Sequence, residues 1–114
     1  MLEFDVILTK DSIPIISHDT TLKRLTGVDG YVRDYNYNEL PPFLRTYDVL
    51  YSTTETYTRQ PFESSTFLKL EDLLTLLNTK DPEKKVWIQL EVKDGGGGPL
   101  LIDKISELLI RFGI

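Results

Sequence analysis

The chain has 114 residues, 40% of them hydrophobic and 27% charged, which suits one globular domain but falls short of a closed eight-stranded barrel of about 250 residues. With 18 acidic residues against 13 basic ones the formal charge is −5, and no Lys/Arg run offers the basic face that nucleic-acid phosphates require. There is no cysteine, hence no disulfide framework or thiolate metal site, and charge interrupts every apolar stretch, so no transmembrane segment or signal-peptide core is expected.

In chain order, Leu2 to Thr9 alternate as a strand does, with Leu2, Phe4, Val6 and Leu8 on one face and Glu3, Asp5 and Ile7 on the other. Met1 abuts this strand directly, which predicts a chain that starts inside a larger fold. A polar turn, Lys10-Asp11-Ser12, leads to a second short apolar run from Ile13 to Ser17, where Pro14 suits a strand start, and then to His18-Asp19. Residues 20 to 67 are dense in Thr, Tyr, Asn, Asp and Pro and read as a loop-rich region, with one short helix expected within Asn36 to Leu44 before Pro41-Pro42 limits it. Leu70, Leu73, Leu74 and Leu77 form a helical stripe that ends before Pro82. Val86 to Lys93 alternate again, with Trp87, Gln89, Glu91 and Lys93 on the polar face. The glycine run 95–98 lacks the spacing of a phosphate-binding loop and reads as a flexible linker, and Pro99 then opens a helix carrying Leu101, Ile105, Leu108, Leu109 and Phe112.

Strands feeding helices, with no Asn-Gly or Asp-Gly hairpin between the major strands, predict an α/β architecture with parallel strands and helices outside the sheet. If the apolar strand faces pack on helices, Glu3, Asp5 and Glu91 converge on the opposite side. Three carboxylates there repel one another and require a positive partner, for which a hard divalent cation, Mg²⁺ or Ca²⁺, is chemically suited. Lys93, two residues after Glu91 on the same face, suits a phosphate oxygen, and His18, the only histidine, is the side-chain type that most readily shuttles protons near neutral pH. Each feature also has a purely structural reading: a Glu-x-Asp pair is commonly a solvated strand face, a His beside an Asp a turn residue, and Lys93 with Glu91 a surface pair.

The order of residues goes further than the single features. Leu2-Glu3-Phe4-Asp5-Val6-Ile7-Leu8-Thr9-Lys10-Asp11, Pro14, His18-Asp19, Leu22, Arg24, Thr26-Gly27, Glu39-Leu40, Leu70-Glu71-Asp72-Leu73-Leu74 and Leu90-Glu91-Val92-Lys93 together resemble the glycerophosphodiester phosphodiesterase family, nearly throughout the chain up to Lys93. The resemblance implies a lipid-metabolism hydrolase on a (β/α)₈ TIM-type barrel. It makes Glu3, Asp5 and Glu91 the ligands of a Mg²⁺ or Ca²⁺ ion, His18 one of two catalytic histidines and Lys93 a residue lining the substrate phosphate site. The implied substrate is a glycerophosphodiester, or a glycerophospholipid such as phosphatidylglycerol, cleaved to glycerol 3-phosphate or a phosphomonoester plus an alcohol. Residues 20–67 correspond to a variable insertion near the active-site mouth.

The family's His-Arg-Gly strand and Glu-Asn-Thr segment precede the part matched here, and the closing barrel strands follow it. Residues 1–114 are therefore expected to form a single incomplete barrel domain with open sheet edges suited to self-association. Lack of one proton-transfer group costs about 10²- to 10⁴-fold in rate, so the isolated chain is expected to be weakly active or inactive. A non-catalytic binding or assembly module derived from the same family is the alternative. A sphingomyelin-cleaving toxin of the same fold is disfavoured by the missing cysteines and secretory segment. The expected location is cytoplasmic or peripheral to membranes.

Overall fold

A computed structural model of the chain describes residues 1–93 and 95–114. Strand β1 (Leu2–Leu8) is followed by β2 (Pro14–Ile16), a single helical turn α1 (Lys23–Thr26) and two 3₁₀ turns at Val32–Asp34 and Tyr37–Glu39. A small hairpin, β3 (Thr46–Asp48) and β4 (Thr56–Thr58), precedes β5 (Leu68–Lys69), helix α2 (Leu70–Lys80), β6 (Ile88–Val92) and helix α3 (Gly98–Arg111). The main sheet has the order β5-β2-β1-β6, and β3 pairs with β4 in a separate two-stranded ribbon.

β1 changes partner along its length. Leu2 to Val6 run parallel to Ile88 to Val92, with Asp5 beside Glu91, whereas Val6 to Leu8 run antiparallel to Pro14–Ile16. The alternation read from the sequence sorts the side chains of β1 between two apolar clusters. Val6 and Leu8 pack with Leu70, Leu73 and Leu74 of α2 and with Leu101 and Ile105 of α3. Ile7 faces the other way and joins Ile15, Leu22, Val32 and Phe67. Val6, Ile7 and Leu8 are all fully buried, and each such aliphatic side chain contributes about 1.5–3 kcal/mol by leaving water. The helices thus cover one face of β1 and β6, and the opposite face is left to Glu3, Asp5 and Glu91.

The structure departs from the sequence reading in three places. Parallel pairing holds for β1 and β6, but β1–β2, β2–β5 and β3–β4 are antiparallel. The β1–β2 hairpin needs no glycine, because Ser12 takes the left-handed conformation (φ 62°) and the Thr9 amide donates to the Ile13 carbonyl at 3.0 Å. The Thr9 hydroxyl, which accepts from the Ile13 amide at 3.0 Å, completes the turn. Within Asn36 to Leu44 only the turn Tyr37–Glu39 forms; Asn36 and Glu39 cap each other, but Leu40 is already extended (ψ 130°) ahead of Pro41-Pro42. Residues 95–98 make a packed turn rather than a free linker: the Leu8 amide donates to the Gly96 carbonyl at 2.7 Å. At Gly97 (φ 139°) a Cβ would stand 2.7 Å from Leu8 Cδ1, so only glycine fits between β1 and α3.

Candidate functional site

Because β1 and β6 are parallel and in register, Asp5 and Glu91 are lateral neighbours, and Glu3 lies on the same face two residues back along β1. One carboxylate oxygen from each of Glu3, Asp5 and Glu91 falls within 4.8 Å of the others. Asp5 is enclosed more than Lys93 or Glu91: its side chain is 14% exposed, and its Oδ1 is buried without a hydrogen-bond partner among the described residues. A buried carboxylate oxygen left without a donor is unfavourable in water-poor surroundings unless a cation or proton meets it. The donor set is all oxygen, the chemistry of a Mg²⁺ or Ca²⁺ site, so the residues present fit such an ion.

Lys93 enters this cluster one residue past the end of β6. Its Nζ stands 3.8 Å from Asp5 Oδ2 and 3.9 Å from Glu91 Oε1, with the side chain 22% exposed. The Glu91 carboxyl is pushed above the usual range, first because its protonated form shares a hydrogen bond with Asp5; the charge of Asp5 adds to this, while the Lys93 ammonium pulls the other way. The four residues form one electrostatic unit.

His18 belongs to the adjoining segment. The Ser17 amide donates to the Asp5 carbonyl at 3.0 Å, which ties the end of β2 to the carboxylate strand one residue before His18. The two ring nitrogens of His18 contact Asp19 Oδ1 (Nδ1, 3.1 Å) and the Tyr51 hydroxyl (Nε2, 3.2 Å), and the Tyr51 ring stands edge-on at 5.8 Å. Arg24 holds Asp19 with a two-pronged contact, Nε to Oδ2 at 2.8 Å and Nη2 to Oδ1 at 3.2 Å. Burial of Asp19 opposes ionisation, but the Arg24 guanidinium and the His18 contact outweigh it and hold the carboxyl below its usual range.

Sequence reasoning therefore brought Glu3, Asp5, Glu91 and Lys93 to the place where they meet, and put His18 on the neighbouring strand end. It missed the Asp19–Arg24 pair as the support of His18, and it missed Tyr51, which lies 33 residues away on the connection between β3 and β4. The signal for that hairpin was short: Thr46-Tyr47-Asp48 and Thr56-Tyr57-Thr58 are both rich in strand-forming residues, yet each spans only three.

Residues 1–110 match the model of the glycerophosphoryl diester phosphodiesterase family. Lysophospholipase D GDPD1 of Mus musculus is 35% identical over an alignment of 116 positions, gaps included, which covers 98% of this chain and 32% of the relative. A glycerophosphodiester phosphodiesterase of Bacillus altitudinis is 49% identical over 39 residues, 34% of this chain and 16% of that protein. The backbone superposes with a TM-score of 0.72 on a solved structure from Silicibacter pomeroyi DSS-3 assigned as a glycerophosphoryl diester phosphodiesterase. That match has 22% identity and covers 98% of this chain and 43% of the other, so it shows a shared fold. The chain spans about a third of the length of the mouse relative. With the family model covering almost every residue, including the two strands that gather the carboxylates, the chain belongs to the glycerophosphoryl diester phosphodiesterase family.

Proposed function

We propose that residues 1–114 are part of a divalent-cation-dependent phosphodiesterase acting on glycerophosphodiesters or on glycerophospholipids such as phosphatidylglycerol. The observation that carries this is the convergence of Glu3, Asp5 and Glu91 within 4.8 Å around the unpaired, buried Oδ1 of Asp5. In this reading the described strands are a segment of a (β/α)₈ barrel, a single incomplete domain, and residues 20–67 are an insertion at its mouth. A bound Mg²⁺ or Ca²⁺ supplies charge neutralisation at the phosphoryl group and lowers the proton affinity of a hydroxyl or water beside it.

The chain's own residues do the rest. Glu3, Asp5 and Glu91 hold the ion by their strand positions, so little ordering is required at binding. Lys93, at the rim of the cluster, turns its ammonium to a phosphate oxygen once the carboxylates have another positive partner. His18 exchanges a proton with a hydroxyl through Nε2 while Asp19 holds Nδ1. The test is release of alcohol and glycerol 3-phosphate by concentrated chain with Mg²⁺ or Ca²⁺, compared with His18→Ala. Slow release, stopped by a chelator and lowered about 10²-fold or more in the variant, is expected. Equal turnover by both proteins sinks the role of His18.

The free outer edge of β6 favours a second reading, a non-catalytic assembly module, since the described residues place no strand beside it. Light scattering separates the two: a monomer across a hundredfold concentration range removes the assembly reading.

A further inference from the structure

Arg24 was part of the family resemblance but has no role in the chemistry above, and Tyr51 had none in the sequence at all. The structure links them. Arg24 grips Asp19 with Nε and Nη2, and its Nη1 donates to the Asp48 carbonyl at 2.9 Å. Asp48 ends β3, and three residues later the Tyr51 hydroxyl meets His18 Nε2 at 3.2 Å. The path His18, Asp19, Arg24, Asp48, Tyr51 and back to His18 is therefore closed, with the β3–β4 hairpin as one of its sides.

The closed path has a chemical consequence. Asp19 is held ionised and can only accept, so Nδ1 of His18 must donate to it. A neutral imidazole has one N–H, and with that proton on Nδ1 the Nε2 lone pair is left to accept from the Tyr51 hydroxyl. Without these neighbours a histidine side chain prefers the opposite tautomer, with the proton on Nε2, which leaves that nitrogen no lone pair to accept another. The Asp19 side chain is 11% exposed and the Arg24 side chain 22%, so solvent competes little for the two-pronged contact between them. The Tyr51 side chain is by contrast almost entirely in solvent, and its hydroxyl stands at the position on Nε2 that a substrate hydroxyl must take to give up its proton.

We propose that Arg24 and Tyr51 are positioning residues, which lock His18 in the Nδ1–H tautomer and dock the β3–β4 hairpin over its Nε2 lone pair. This rests on the reading of His18 as the proton-transfer group, and the test does not depend on turnover.

His18 is the only histidine, so its two imidazole ¹⁵N resonances in the full chain need no assignment. At a pH where the ring is neutral, the wild-type chain is expected to show Nδ1 protonated and Nε2 unprotonated, with the Nδ1–H form in at least about tenfold excess, the ratio that one charge-assisted hydrogen bond sustains. Arg24→Gln should lose that excess and shift the ring toward the Nε2–H form. Tyr51→Phe keeps the ring on an 89% exposed residue and so leaves the fold intact; it should move the Nε2 resonance and leave Nδ1 protonated. A wild-type ring in the Nε2–H form overturns the proposal, as do unmoved resonances in Tyr51→Phe or in a folded Arg24→Gln. If Arg24→Gln unfolds, as its amide spectrum will show, Tyr51→Phe alone decides. A locked tautomer alongside a fully active His18→Ala would instead remove the assigned role of His18 and leave the lock standing.

Discussion

Divalent cation should raise the melting temperature of this chain through Asp5, and Asp5→Asn should abolish the rise. Glu3, Asp5, Glu91 and Lys93 carry three negative charges and one positive, a net −2, and the substitution reduces it to −1 while placing a neutral amide at an enclosed position of the carboxylate cluster. An ion that binds only the folded state stabilises it by RT ln(1 + [L]/Kd), about 2.7 kcal/mol at a hundredfold excess over Kd. For 114 residues the entropy of unfolding is about 0.24 kcal/mol per kelvin, so that stabilisation corresponds to a rise of about 11 °C. Thermal melts by circular dichroism with and without Mg²⁺ or Ca²⁺ measure this directly, with Na⁺ at matched ionic strength as control. In the cation-free melts Asp5→Asn should lie at or above the wild type, because one like-charge repulsion is gone. A wild-type melt that ignores both cations refutes the reasoning, and so does an Asp5→Asn variant that gains as much as the wild type.

Two further expectations concern the scaffold. Gly97→Ala forces a Cβ to within 2.7 Å of Leu8 Cδ1 at a φ of 139°, and should cost about 2–4 kcal/mol in urea unfolding; an unchanged midpoint would show that the turn 95–98 relaxes freely. The folded-state carboxyl of Asp19 lies below its usual range, so the stability it contributes is complete above the ordinary aspartate value of about 4 and is lost as pH falls from there through the lowered one. Asp19→Asn should therefore cost about 1 kcal/mol near neutral pH, after allowance for solvent screening, and flatten the acid limb of the stability curve. An acid limb as steep as the wild type's assigns that loss to other carboxylates.

The parts of the fold legible in the sequence were those with a long enough period. Seven alternating residues in β1 and the i, i+3, i+4 leucines of α2 placed the core face, and with it the polar face on which Glu3, Asp5 and Glu91 meet. The β1–β2 hairpin was hidden because Ser12, Thr9 and Asp11 build by hydrogen bonding a turn that the search for Asn-Gly or Asp-Gly passes over. Contacts made by the loop-rich region 20–67 were not legible. Nothing in the local pattern around Tyr51 indicates that its hydroxyl reaches His18, since that contact depends on how the β3–β4 hairpin docks through Arg24.

The pairing of Asp5 with Glu91 also bears on how the chain reaches its fold. Strand side chains alternate with a period of two, so a slip of β1 by a single residue would turn Glu3 and Asp5 into the leucine-rich layer beneath the helices and expel Phe4 and Val6 from it. Two carboxylates set among leucines, with no donor in reach, would be disfavoured by several kcal/mol each. The charges proposed to gather a cation in the correct register are thus the ones that reject neighbouring registers during folding. On the proposed function, pairing fidelity and ion affinity reside in the same side chains, so selection for either one would maintain the other.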